Sequence, residues 1–175
     1  MRRREVLAGL GALGVFGAGA ATIYGDFDPL DGDEQREPVS LPRIDAPGSP
    51  PGTETIPERG RVTYLALFAT WCGTCVTKME PLGEAASLVS DDVQFVSVTN
   101  EPLGHTTDEQ DVVEWWKAHD GNWPVAHDED LELSRTVDAS GVPHSVTFDA
   151  ENRLVSSVGG YKTTDEILDY LEEAR

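Results

Sequence analysis

Cysteine is nearly absent from this chain: its 175 residues hold two, Cys72 and Cys75. That is too few for a disulfide-stapled framework, which a chain of this length does not need. It is also too few for a four-cysteine zinc site. Lysine is scarce, with only Lys78, Lys117 and Lys162. Lysine and arginine together number 13 against 32 acidic residues, a formal charge of −19. Binding nucleic acid through its phosphates needs clustered positive charge, so that function class is excluded. Internal repeats are missing as well, and 175 residues leave room for one domain of ordinary size, not two.

The chain opens with Arg2, Arg3 and Arg4, followed by Val6 to Ile23, eighteen residues without a charge. A basic start before an apolar run reads as an export signal. Arg3-Arg4-Glu5-Val6-Leu7 resembles the twin-arginine pattern. Five glycines (Gly9, Gly11, Gly14, Gly17 and Gly19) make the run only mildly apolar and a poor buried helix. Ala18-Gly19-Ala20 offers a small-residue cleavage site, and no cysteine follows it to carry a lipid. Left uncut, the run is near the lower length limit for crossing a bilayer. Residues 24–38 read as a flexible acidic linker rich in proline and glycine. From Val39 to Arg175 the pattern is that of a folded domain. Val39–Ile44 and Thr53–Ile56 read as short pieces forming an edge hairpin on the main sheet.

Arg61–Ala69 is a near-continuous apolar run, the mark of a strand buried on both faces. Met79–Ser90 reads as a helix and Val93–Thr99 as a second strand. Asp108–His119 reads as a helix capped by Asp108. His144–Phe148 and Leu154–Val158 form a hairpin around Asp149–Asn152. Thr163 and Glu166 make a capping box for a closing helix over Thr163–Ala174. The order β-α-β-α-β-β-α predicts an α/β domain with a mixed central sheet and helices on both faces. Asp128, Glu129, Asp130 and Glu132 read as a solvated helix start.

Trp71-Cys72-Gly73-Thr74-Cys75 falls where the buried strand turns into a helix. A helix N-terminus offers free N–H groups and partial positive charge, which stabilise a thiolate at Cys72. Two residues between the cysteines let the sulfurs meet on one turn, so the pair can cycle between dithiol and disulfide. Cys72, at the exposed lip, is the expected nucleophile, and Cys75, one turn in, resolves the mixed disulfide. A zinc reading would need two of His105, His119, His127 and His144, and none are spaced as a ligand pair. A purely structural disulfide would close too short a loop to stabilise much.

Phe68-Ala69-Thr70-Trp71-Cys72-Gly73-Thr74-Cys75 resembles the active-site strand and turn of the thioredoxin superfamily. Its nearest pattern is that of the TlpA/ResA-like thiol–disulfide oxidoreductases. Trp123-Pro124-Val125, Gly141-Val142-Pro143 and the hairpin from Phe148 to Gly160 resemble further segments of that family, in the same order. The resemblance covers Val39 to Arg175 and implies a thioredoxin-like fold with Pro143 as a cis-proline facing the disulfide. It implies a substrate surface made of Trp71, Gly73, Thr74, Val142 and His144, with Val142's backbone open to an added strand. His144 has two readings, as a partner for the thiolate and as a polar residue entering a strand. The chain departs from the pattern in places. Thioredoxins carry a buried Asp where this chain has Ala66, and several TlpA/ResA-like proteins carry a Glu where it has Lys78. The acid that would take the Cys75 proton is therefore open, with Glu80 first and Glu101 next; each also reads as a solvated surface group.

The N-terminal segment points to an exported protein, membrane-tethered or secreted, and the resemblance implies a disulfide reductase with protein disulfides as substrates; a monomer is expected. It would draw on a membrane or extracytoplasmic electron donor and could serve cytochrome c maturation. No cofactor beyond the Cys72–Cys75 pair and no metal is expected. The alternatives are an oxidase or isomerase of the same fold, and a Cu(I) carrier using Cys72, Cys75 and His144. The acid excess with little lysine is similar to the surfaces of salt-adapted proteins of halophilic archaea; solubility alone is the simpler reading.

Overall fold

A computed structural model of the chain describes residues 34–175. The expected signal at 1–23 and most of the expected linker lie outside the described residues. β3, Val62–Phe68, is buried at every position, as an unbroken apolar run must be when both faces of its sheet are covered. It is the middle strand of a five-stranded sheet ordered β5-β4-β3-β6-β7. β4 (Val93–Thr99) pairs parallel to β3, and β5 (Val125–His127) parallel to β4. β6 (His144–Phe148) runs antiparallel to β3, and β7 (Leu154–Gly159) antiparallel to β6.

One face of the sheet is covered by α1 (Gly73–Leu88), α2 (Glu109–Ala118) and α4 (Thr164–Glu173). Tyr64, Ala66 and Phe68 of β3 meet these helices through Met79, Trp116 and Ile167. Leu65 and Leu67 point to the other face, where they meet β1 (Val39–Pro42), β2 (Thr53–Ile56) and the short α3 (Glu132–Thr136). The alternation of strand side chains thus divides the core into two layers. The mixed sheet with helices on both faces is the thioredoxin-like α/β arrangement. Asp108 and Thr163 cap α2 and α4 through complete capping boxes with Asp111 and Glu166. Among the described residues no helix is long and apolar enough to cross a membrane.

Three expectations need correction. The hairpin β1–β2 is a separate two-stranded sheet and does not extend the main one. It touches the main sheet's edge through an Arg43–Ala126 bridge and the Ile44 N–H, which donates to Val125 O at 2.9 Å. β5 was absent from the expected order because its three residues are too few to show a period. The acidic run after it does begin a helix, but Asp128 is not solvated: it is fully buried. Its carboxylate accepts the Leu133 N–H at 3.2 Å, the Ser134 N–H at 2.8 Å and the Ser134 hydroxyl at 2.7 Å. These are the orphan donors of α3's first turn, whose N-cap Leu131 offers no side-chain bond of its own.

Candidate active site

β3 ends at Phe68 and α1 begins at Gly73, so Ala69–Cys72 must turn the chain within one tight connection. Glu101, just past the end of β4, fixes that turn. Its carboxylate accepts the Thr70 N–H at 2.8 Å, the Thr70 hydroxyl at 2.7 Å and the Thr99 hydroxyl at 3.0 Å. It is 3% exposed, so these bonds replace the water that a buried carboxylate would otherwise lose.

Cys72 is the N-cap of α1, and its sulfur accepts the Cys75 N–H at 3.1 Å. α1 therefore starts at the cysteine pair, earlier than the apolar spacing from Met79 indicates. Cys72 and Cys75 are joined as a disulfide with Cα atoms 5.2 Å apart, inside the usual span for such a bridge. Cys72 is not at an open lip: it is 7% exposed, against 2% for Cys75. The exposed neighbours are Trp71, at 74%, with Gly73 and Thr74 beside it.

The Val142–Pro143 peptide is cis, and Val142 packs against the buried cluster that contains both cysteines. A second cis peptide, Ile56–Pro57, carries no signal in the sequence. His144 lies half-buried at the start of β6, its Nε2 hydrogen-bonded to Ser157 Oγ at 2.8 Å. Burial first, then the positive charges of Lys78 and Lys162, hold its imidazole below the usual histidine value. Among the described residues, no group of three or more His, Cys, Asp and Glu is gathered as metal ligands.

Of the two acids considered for the Cys75 proton, Glu80 is exposed on α1. Glu101 is buried and committed to Thr70 and Thr99, which corrects its reading as a solvated surface group. The titratable group buried near the pair is one that sequence reasoning passed over. Lys78 is 2% exposed, and its Nζ donates to Ser145 Oγ on β6. Tyr64 OH donates to the same oxygen at 2.8 Å. Burial pushes the Tyr64 hydroxyl well above the usual tyrosine range. Burial, with a smaller contribution from Lys162, lowers Lys78 to about 7. The sequence did carry a signal: Cys75, Lys78, Met79 and Leu82 follow the spacing of one buried helix face.

The chain belongs to the Redoxin family, whose profile matches residues 36–171. Among curated proteins it is similar to the thiol-disulfide oxidoreductase ResA of Bacillus thuringiensis subsp. konkukian, 23% identical over 117 residues. That match covers 66% of this chain and 64% of ResA, so the chain spans somewhat under two thirds of the relative's length. Among solved structures it resembles the exposed lipoprotein thioredoxin of Streptococcus pneumoniae, with 27% identity and a TM-score of 0.67. The overlap covers 78% of this chain and 98% of that one. StoA of Bacillus subtilis, at 19% identity and a TM-score of 0.66 over 77% and 96% of the two chains, shares the fold.

Proposed function

We propose that this protein is an extracytoplasmic thiol–disulfide oxidoreductase of the TlpA/ResA type, reducing protein disulfides through a Cys72/Cys75 cycle. The observation that carries the reading is the cysteine pair at the N-terminus of α1, with Cys72 Sγ accepting the Cys75 N–H. On reduction, that N–H and the helix's positive end favour the thiolate at Cys72. Cys72 attacks the substrate disulfide and one substrate thiolate leaves. Cys75 then attacks Cys72, the mixed disulfide breaks and the second thiolate leaves. In this reading Val142 and Pro143, with Trp71, Gly73, Thr74 and His144, form the surface that meets a substrate strand. The work requires no cofactor.

Residues 1–23 serve as a twin-arginine signal or anchor and residues 24–38 as a tether, leaving the domain from Val39 outside the cytoplasm as a monomer. A membrane-bound or extracytoplasmic dithiol donor resets the disulfide, and maturing cytochrome c is one substrate the reading accommodates. The pneumococcal protein named an exposed lipoprotein supports this placement. The acid excess fits a salt-adapted chain.

The test is a pair of variants. Cys72→Ser should abolish disulfide reduction, and Cys75→Ser should accumulate substrates as mixed disulfides on Cys72. Trapping on Cys75 in the Cys72→Ser chain instead would reverse the assignment. For the export route, Arg3→Lys with Arg4→Lys should hold the protein in the cytoplasm; unchanged export rules out the twin-arginine signal.

A further inference from the structure

A lysine that is buried without a carboxylate is costly, and the fold places this one beside its redox pair. Cys75 and Lys78 are three residues apart on α1, hence on one face of the helix. Both are buried, and among the described residues the Lys78 Nζ bonds the Ser145 hydroxyl rather than a carboxylate. Its Nζ reaches Ser145, which lies opposite Ala66 on β3 and two residues beyond Pro143. Ala66, Tyr64, Cys72 and Cys75 belong to one buried cluster. The amine therefore ends in the layer that holds the sulfurs.

The ionisable groups on the neighbouring elements set the surroundings of that amine. Tyr64 on β3 stays protonated because burial raises its hydroxyl. Burial above all lowers His144 on β6 below the usual histidine value. Lys162, between β7 and α4, adds positive charge and disfavours a second cation at Lys78. From α4, Glu166 and Tyr170 act on Tyr64. Burial, with Lys162 adding to it, favours the neutral Lys78 amine above about pH 7 while the sulfurs are joined. A thiolate formed on the pair changes the balance, since a negative charge in the same buried layer favours the ammonium.

We propose that Lys78 is the proton-exchanging partner of the Cys72–Cys75 couple, binding one proton when the disulfide is reduced and giving it up when the disulfide re-forms. The proposal rests on the oxidoreductase reading above. In the reducing half-cycle a dithiol donor loses two electrons and two protons and becomes a disulfide. The Cys72–Cys75 bond breaks and gains the electrons. One proton goes to the Cys75 sulfur and the other to the Lys78 amine, leaving Cys72 as thiolate. In the second half-cycle Cys72 and then Cys75 displace the two substrate sulfurs, the internal disulfide re-forms, and the protons from Cys75 and Lys78 end on the two substrate thiolates. Lys78 thus supplies the role for which Glu80 is too exposed and Glu101 already committed.

The full chain, equilibrated with dithiothreitol at a series of pH values between 7.5 and 8.5, above the Lys78 value in the oxidised chain, tests this. The wild-type pair takes up both donor protons on reduction, so its equilibrium constant should stay nearly flat. In Lys78→Met the reduced pair keeps only the Cys75 proton, so the constant should rise toward tenfold per pH unit, about 30 mV for two electrons. Parallel slopes in the two chains, with disulfide turnover intact, overturn the proposal and leave the oxidoreductase reading standing. A disulfide that does not equilibrate with the dithiol in either chain overturns both. A second measurement needs no variant: the Lys78 Nζ titration, followed by nitrogen NMR in the wild type, should move upward on reduction. An unchanged titration in the two redox states contradicts the proposal.

Discussion

At the scale of single residues, the site is built from groups whose surroundings oppose their usual behaviour. Cys72 is capped by the Cys75 N–H, Glu101 is sealed under Thr70 and Thr99, and Lys78 is buried against Ser145. Lys78 gives stability a pH dependence whose sign follows from its direction of shift. Folded, it titrates at about 7, below its ordinary 10.5, so between those values the unfolded chain binds the extra proton. Stability from this group is then complete above the ordinary lysine value and is lost as pH falls through the folded one. The oxidised protein should gain stability as pH rises from 7 toward 10, and Lys78→Met should flatten that rise; urea unfolding at fixed pH steps measures it. A wild-type curve that already matches the variant would mean Lys78 is charged or solvated in the fold. The cysteine pair was legible because the C-x-x-C spacing and the preceding apolar run are local features. The burial of Lys78 and Glu101 was not, since it depends on β6 and on the loop after β4 closing over them, and both residue types are usually exposed.

At the scale of elements, the periodic segments were readable and the short ones were not. β3, β4 and the hairpin β6–β7 have apolar content that only a covered sheet explains. α2 and α4 announce themselves through their capping boxes. β5 and α3 have too few residues for a period, and the sheet edge and Asp128 hold them in place. The β1–β2 hairpin was recognised as strands, but its partner was misjudged because proline content marks an edge without saying which sheet owns it. Asp128 makes α3 testable. Asp128→Ala strands buried donors at Leu133 and Ser134, and each such group costs about 1–3 kcal/mol. We expect a loss of that size in chemical denaturation, with faster amide exchange confined to α3 and the end of β5. A change below about 0.5 kcal/mol, the scale of ordinary surface substitutions, would show that α3 does not depend on this cap.

At the scale of the whole molecule, the charge of −19 works against a compact state unless ions screen it. The screening length falls from about 30 Å at 0.01 M salt to about 3 Å at 1 M, so the unfolding temperature should climb steadily across that range. A temperature that stays constant would assign the acidic surface to solubility alone. The thioredoxin-like arrangement sets the disulfide between a strand end and a helix N-terminus, and the central claim is that this disulfide carries electrons. Insulin reduction with a dithiol donor, run alongside a redox titration of the full chain, tests that claim most directly. The account predicts one reversible two-electron transition at Cys72–Cys75, toward the thioredoxin end near −270 mV and away from the oxidising end near −120 mV, with insulin reduction that disappears in Cys72→Ser. A disulfide that stays closed across the titration, or insulin reduction undiminished in Cys72→Ser, would contradict it.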